Sequence, residues 1–497
     1  MLIWLLNSRL WDLKTVNDKC ENMDVLKKLS FFALSIPSLF LSEVVGEEVF
    51  VNSVSAEKTI VGHGEGQDKR AENVTYRVYK DEVAQSELSI FDTVHRAVGW
   101  HPSIAESIGY LYQQRQGVKA ARSAYFPQLS AGIVAGEDTE YKREGDGHAI
   151  QLNVTQMLFD FGKVSSNVRQ ARAGVRRSQA QILKSIEEVA RQTAKATIEV
   201  QRYQALLQSS DEQVDGVSAI ANLVKIRKEK GASSRSDVLQ AQSRIDAAQA
   251  SRQQIQALLR RWRSTLQNLT GLDEKFSVSM SVPDDVTQAC DLDSFDLSAV
   301  PEVLIAESYR AEAMARLDES KANAWPTFSL DANINQYLDQ DYVDANAFDT
   351  NESAVFFNVS MPIYQGGKIS AGKEGAGFAL LSADAAKDSI RLLTIQKYQE
   401  SQEEAAGLMQ SLKALNSRES AIAETRDLYK QQYEVLGTRT LLDLLNAEQE
   451  LHLARIEKNN TIFDLHLLKI DCLYSRGGLR SAFSLDGRQI QGVEVLP

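Results

Sequence analysis

The chain has 497 residues, 43% of them hydrophobic but only 7% aromatic, and a formal net charge of −12. That acidic balance offers no broad basic surface for phosphate and excludes nucleic acid as the main partner. Its three cysteines, Cys20, Cys290 and Cys472, lie far apart with no C-x-x-C pair, and they predict neither a disulfide framework nor a zinc site.

At the N-terminus, Lys27-Lys28 precede a mostly apolar run of 13 residues, Leu29 to Leu41. This is the layout of a secretory leader, too short to cross a bilayer as a helix. Two small-residue cleavage sites, Val44-Val45-Gly46 and Val54-Ser55-Ala56, put the end of the leader at 46 or as late as 56. Met23 offers a start nearer the basic pair, so residues 1–22 are either an extension or part of a long leader. A linker is expected over 47–88. No later stretch offers 18 consecutive apolar residues, so any membrane contact must be made by strands.

From Pro102 onward the layout occurs twice. Pro102 and Pro127 recur 199 positions later as Pro301 and Pro326, Phe159-x-x-Gly162-Lys163 recurs 205 later as Tyr364-x-x-Gly367-Lys368, and Gly231 and Asp237 recur 206 later as Gly437 and Asp443. Such ordered recurrence predicts a duplicated structural unit, with repeats over 89–271 and 301–475, an equatorial linker over 272–300 and a C-terminal tail over 476–497.

Downstream of Pro127 and Pro326 the pattern alternates. Leu129, Ala131, Ile133 and Ala135 oppose Ser130, Gly132, Val134 and Gly136; Ile150, Leu152, Val154 and Leu158 oppose Gln151, Asn153, Thr155 and Met157. In the second repeat, Phe328, Leu330, Ala332 and Ile334 oppose Ser329, Asp331, Asn333 and Asn335, and Val355, Phe357, Val359, Met361 and Ile363 oppose Phe356, Asn358, Ser360 and Pro362. Each repeat thus predicts a β-hairpin, about 128–158 and about 327–363, with one apolar and one polar face. Aromatic residues crowd the strand ends, and the loops Glu137–Gly147 and Leu338–Ser353 are long and polar, as in the outer loops of a membrane barrel. Soluble hairpins packed on a core are the alternative. Four strands cannot close a membrane barrel alone; two copies would fill one and three would begin to leave a lumen, so three are favoured.

All eight prolines fall at 37, 102, 127, 283, 301, 326, 362 and 497, leaving long stretches in which helices can run unbroken. Lys163 to Arg227 and Lys368 to Val435 read as helices of roughly 100 Å. Each turns near Gly231 or Gly437 and returns as Asp237 to Leu269 or Leu441 to Leu473, with small and apolar residues at mixed intervals of three and four, as coiled-coil packing requires.

Hairpins, paired long helices, the duplication and the leader together resemble the TolC family of outer-membrane export ducts over residues 89–475. The most specific motif is Gly437-Thr438-Arg439-Thr440-Leu441-Leu442-Asp443-Leu444-Leu445-Asn446-Ala447-Glu448, matched in the first repeat by Gly231-Ala232-Ser233-Ser234-Arg235-Ser236-Asp237-Val238-Leu239-Gln240-Ala241. The resemblance implies a mainly α fold with a membrane β-barrel part. Three copies would build a twelve-stranded barrel in the outer membrane of a Gram-negative bacterium, continuous with a twelve-helix tunnel across the periplasm. It further implies a passive exit duct, held in outer-membrane lipid and joined by a periplasmic adaptor and an inner-membrane ABC exporter or other pump. By residue matching, Asp443 is a pore-constriction acid and Asn446 stands where a second acid is expected, which leaves one carboxylate per chain and weakens the expected cation preference. Asp237 and Arg439 would form a closed-state clamp, and Gly231, Ala232, Ser233, Gly437 and Thr438 would form the adaptor-docking tips. Tyr433 resembles a further clamp residue but sits one place out of register, so that role is not carried over. Asp237 and Asp443 also stand where an acid caps a helix start, whatever the function.

The Leu-Leu-Asp-Leu-Leu-Asn-Ala-Glu run most resembles members serving type I secretion of large adhesins or toxins; multidrug efflux is the rival, and a soluble coiled-coil spacer a remote one. No enzyme is expected. The six histidines form no ligand spacing, Gly-x-Ser-x-Gly and Walker motifs are absent, and no cofactor or metal is implied.

Overall fold

The computed structural model describes residues 87–138, 145–272, 276–291, 295–338 and 351–494. The expected leader, nearly all of the 47–88 linker and the middle of both outer loops lie outside the described residues.

Helix α1 (Ile90–Trp100) starts at Ser89, whose hydroxyl accepts from the Asp92 amide while the Asp92 carboxylate accepts from the Ser89 amide. This reciprocal box satisfies two donors that a helix start otherwise leaves unpaired. Helix α2 (Pro102–Ser123) opens on Pro102, where a missing N–H costs nothing, and leads past Pro127 into strands β1 (Gln128–Asp138) and β2 (Gly145–Phe159). The second repeat follows the same order with helix α5 (Pro301–Ala322) and strands β3 (Thr327–Tyr337) and β4 (Asn351–Ser360). The first repeat continues as α3 (Lys163–Glu229) and α4 (Arg235–Thr270), and the second as α6 (Lys368–Gln431) and α7 (Leu441–Ser475). With 67 residues, α3 extends about 100 Å. Among the described residues no helix is long and apolar enough to cross a membrane.

The four strands form one antiparallel sheet in the order β1-β2-β3-β4. Its register aligns like with like: Leu129, Val154, Ala332 and Val355 form one cross-strand row, and Ser130, Asn153, Asn333 and Ala354 the next. Leu129, Ile133, Val355 and Phe357 are all more than 60% exposed. An apolar sheet face of this extent lacks a partner within its own chain. At the base of the sheet, Phe161 stacks on Trp325 with ring centroids 5.2 Å apart, Phe159 lies 4.7 Å from Phe161, and the Lys163 ammonium donates to the Trp325 carbonyl at 2.9 Å. The two hairpins are therefore fastened at the point where strands give way to helices. There the chain turns through Gly162 (φ 99°) and Gly367 (φ 85°), a left-handed conformation that glycine adopts without strain.

The main core lies midway along the helices, where α1, α3, α7 and the tail pack Ile90, Val94, Ile186, Ile198, Ile470 and Phe483. Cys290 and Cys472 are joined here by a disulfide, their Cα atoms 5.4 Å apart. This overturns the expectation of unpaired cysteines: 182 residues separate them, but the equatorial segment crosses the end of α7 and brings them together. Such a bond is suited to an oxidising compartment.

Arg480 anchors the tail. It is almost fully buried and reaches Glu187 of α3 at 3.5 Å, Asp486 at 3.2 Å and the Ala299 carbonyl at 3.4 Å. Burial pushes the Glu187 carboxyl up to about 7, with the Arg480 charge and amide hydrogen bonds from the tail pulling the other way. The native state therefore holds a proton that an unfolded chain releases above its ordinary value of 4.5. Stability from this group is full below that value and declines as pH rises to about 7. Unfolding of detergent-solubilised protein should show a steeper loss between pH 4.5 and 7 in the parent than in Glu187→Gln; parallel pH profiles would remove Glu187 as the cause.

Candidate functional site: the two helix-hairpin tips

Each long hairpin turns at a glycine with positive φ, Gly231 at 75° and Gly437 at 62°. At the first tip the Ala232 amide donates to the Arg227 carbonyl at 2.7 Å and the Gly231 amide to that of Lys228 at 2.9 Å, using carbonyls that the end of α3 would leave free. Ser234 then caps α4: its hydroxyl accepts from the Asp237 amide at 3.1 Å, and the Asp237 carboxylate accepts from the Ser234 amide at 2.9 Å. The second tip repeats the box with Thr440 and Asp443, at 3.2 and 3.4 Å. Both acids thus cap their helices, as their position after a turn allowed.

The second tip differs in one respect. Residues Gln432–Leu436 form a turn of π-helix, which takes up one residue more than an α-turn. The repeat offset is 205 at Lys163/Lys368 and 206 at Gly231/Gly437, so α6 and its turn carry one extra residue, and the π-turn absorbs it.

Tyr433 is buried and joins the two tips. Its ring lies under the Arg227 guanidinium, 4.6 Å to the centroid, its carbonyl accepts from Arg227 Nη1 at 2.7 Å, and its hydroxyl is 3.4 Å from Ser233 Oγ. Around it Val217, Ile220 and Val224 of α3 pack against Leu441, Leu444 and Leu445 of α7. Arg244 of α4 donates to Asn446 Oδ1 at 3.2 Å, a second link between the tips.

The expected clamp pair is not joined inside one chain. Asp237 is engaged by its own cap, while Arg439 bonds Gln432 Oε1 at 3.0 Å, lies over the Tyr429 ring at 4.4 Å and approaches the Asp443 carboxylate at 3.9 Å. Asp443 and Arg439 are each about 40% exposed on their side chains. Gly231, Ala232, Ser233, Gly437 and Thr438 all fall in the two turns. Arg227 and Arg244 escaped sequence reading because both reach across to the other hairpin, and no local pattern reports that distance. Tyr433 was noted in the sequence without a role, and the structure places it against Arg227.

Beyond the tips, α3 and α7 meet along a polar seam. Asp471 pairs with Arg191 and Lys195 at 2.8 and 2.6 Å, Asp464 with Arg202 at 2.6 Å, and Glu212 with Arg455 at 2.8 Å. Glu448, the last residue of the tip motif, is buried against Gly216 and paired with Arg426 at 3.1 Å. A Cβ on residue 216 would stand 2.2 Å from the Glu448 carboxylate oxygen, so the glycine provides the recess for that side chain.

Comparison with known proteins matches the outer membrane efflux protein family model over residues 93–272 and 297–461. The chain belongs to this family. Its place is accordingly the outer membrane of a Gram-negative bacterium, with the helical part in the periplasm. Among relatives, it is 26% identical over 351 residues to the outer membrane efflux protein BepC of Brucella suis, covering 68% of this chain and 74% of that one. It is 24% identical over 390 residues to TolC of Vibrio cholerae (75% and 86% covered) and 24% identical over 411 to the alkaline protease secretion protein AprF of Pseudomonas aeruginosa (76% and 82% covered). The fold matches the solved outer-membrane channel OprN with a TM-score of 0.68 at 18% identity, over 78% of this chain and 90% of that one.

The Arg227–Tyr433 contact combines a cation–π interaction with a charge-assisted hydrogen bond, together worth about 2 kcal/mol. Arg227→Gln removes both contacts and should speed amide exchange at both tips by about tenfold; Tyr433→Leu removes the ring but keeps the main-chain acceptor, so the two changes should be less than additive in the double variant. Fully additive effects would mean that the two residues act separately.

Proposed function

We propose that the protein is the outer-membrane exit duct of a tripartite export machine, working as a homotrimer, and that it serves type I secretion of large proteins. The observation that carries the trimer is the four-stranded sheet with two unpaired edge strands and an exposed apolar face. In a membrane both edges must be paired, which three copies achieve by closing a twelve-stranded barrel. Six hairpins then continue as a twelve-helix tunnel, and its far end is formed by the tips. The reading as a passive duct draws support from the family: chemistry and energy come from an inner-membrane pump, and an adaptor seats on the turns at Gly231–Ser233 and Gly437–Thr438. The secretion reading rests on the tip motif and on similarity to AprF, whose name assigns it to protease secretion; similarity to BepC keeps multidrug efflux as the second reading.

Electron microscopy of detergent-purified particles is expected to show threefold tubes, and membrane fractionation to find the protein with the outer membrane. A compact monomer soluble without detergent would overturn the duct. Deleting the gene should abolish release of a large substrate encoded beside an ABC exporter; raised drug susceptibility with intact release would favour efflux.

Asp443 is assigned to the pore constriction and Asn446 to the level one turn above it. The Arg439 and Asp237 side chains are assigned to links between neighbouring protomers, and Arg227–Tyr433 to the link within a protomer; together these hold the end closed. Asp443→Asn retains an acceptor for the Thr440 amide and removes the charge. It should therefore lower the preference for K⁺ over Cl⁻ in planar-bilayer recordings, and an unchanged preference would take Asp443 out of the pore.

A further inference from the structure

The link between Arg244 and Asn446 has a consequence for which ions and cargo pass the narrow end. Arg244 stands on α4 seven residues after Asp237, half-buried, and its guanidinium crosses to the other hairpin to donate to Asn446 Oδ1 at 3.2 Å. Asn446 stands three residues after Asp443 on α7, one turn or about 4.5 Å further along the axis. A neutral amide accepts the hydrogen bond without cancelling the cation. Among the described residues Arg244 has no ion-pair partner, whereas the nearby Arg426 and Arg455 on the hairpin seam are both paired with carboxylates.

We infer that Arg244 is a charge-selectivity determinant of the constriction, placing a positive charge beside Asn446, one turn from Asp443. The inference rests on the reading of Asp443 as pore-facing. With Arg439 drawn into the links between protomers, each copy then contributes the Asp443 carboxylate and the Arg244 cation to successive levels of the narrow end, where acids at both positions 443 and 446 would have contributed two negative charges. Around a threefold axis this makes an anionic ring followed by a cationic ring. Small cations meet an attractive level and then a repulsive one, and so do small anions in the opposite order, so net discrimination is low. A duct whose cargo is a polypeptide of mixed charge gains from this arrangement, since neither acidic nor basic segments meet a uniformly repelling collar.

Two substitutions separate the charge of Arg244 from its mechanical link. Arg244→Gln removes the cation and weakens the tie. Asn446→Asp keeps the tie, strengthens it into an ion pair and neutralises the cation in place; being isosteric at an exposed site, it leaves the fold intact. Reversal potentials of purified protein in planar bilayers under a KCl gradient provide the readout, with Asp443→Asn as reference. Both Arg244→Gln and Asn446→Asp are expected to raise the K⁺/Cl⁻ permeability ratio at least about twofold, and Asp443→Asn to lower it. Open conductance should rise for Arg244→Gln alone. If Asp443→Asn moves the potential and the other two do not, or if Arg244→Gln raises conductance without moving it, the assignment of selectivity to Arg244 is overturned. If Asp443→Asn also has no effect, the constriction reading falls and this inference with it.

Discussion

An antiparallel sheet of four strands leaves two rows of backbone amides and carbonyls unpaired, on the outer edges of β1 and β4. In water such edges invite aggregation; in hydrocarbon each unsatisfied group costs several kcal/mol. The outward side chains on this sheet are apolar and the opposite row carries Asn153, Asn333 and Asp331, the last accepting from Asn358 at 3.1 Å. One face suits lipid and the other water. The remaining demand, paired edges, is met in the proposed trimer by other copies of the chain, and the helices that continue from the sheet would inherit that symmetry.

The helices in turn are held unevenly along their length. Apolar clusters sit midway, around Ile186 and Ile470, and at the tips, around Ile220 and Leu444. Between them α3 and α7 combine buried Leu206, Leu451 and Ala454 with the Glu212–Arg455 ion pair, Gln213 and the Gly216 recess. Buried or half-buried ion pairs add little net stability, because desolvation offsets attraction. A polar seam also tolerates water when its walls move apart, whereas an apolar one does not. The ion pairs therefore set the register of the hairpins, while the apolar contacts supply most of the attraction.

Much of this was legible from sequence because the signals were backbone signals. Prolines at the starts of α2 and α5, glycines at both strand-to-helix turns, and Ser/Thr-x-x-Asp at both return helices locate elements through steric and capping rules that hold whatever the tertiary context. The alternation in the strands fixed their faces for the same reason. The disulfide and the Arg480 node were not legible. Both join segments far apart in sequence, and the chance that two distant cysteines meet depends on how the equatorial segment is folded over α7, which no local pattern reports. At the tips, capping residues were found and bridging residues were not. A cap acts on its own turn, while Arg227 and Arg244 act on the other hairpin, whose distance is a product of packing.

The internal duplication sharpens that last point. Arg227 and Tyr433 each stand four residues before a turn glycine, so they occupy matching places in the two repeats, and they touch each other. Two repeats within one chain can carry different residues at such places, and here a cation stands over an aromatic ring. The tips differ in backbone as well: α3 stays α-helical to Glu229, whereas the second hairpin passes through the π-turn at Gln432–Leu436, from which the buried Tyr433 meets Arg227.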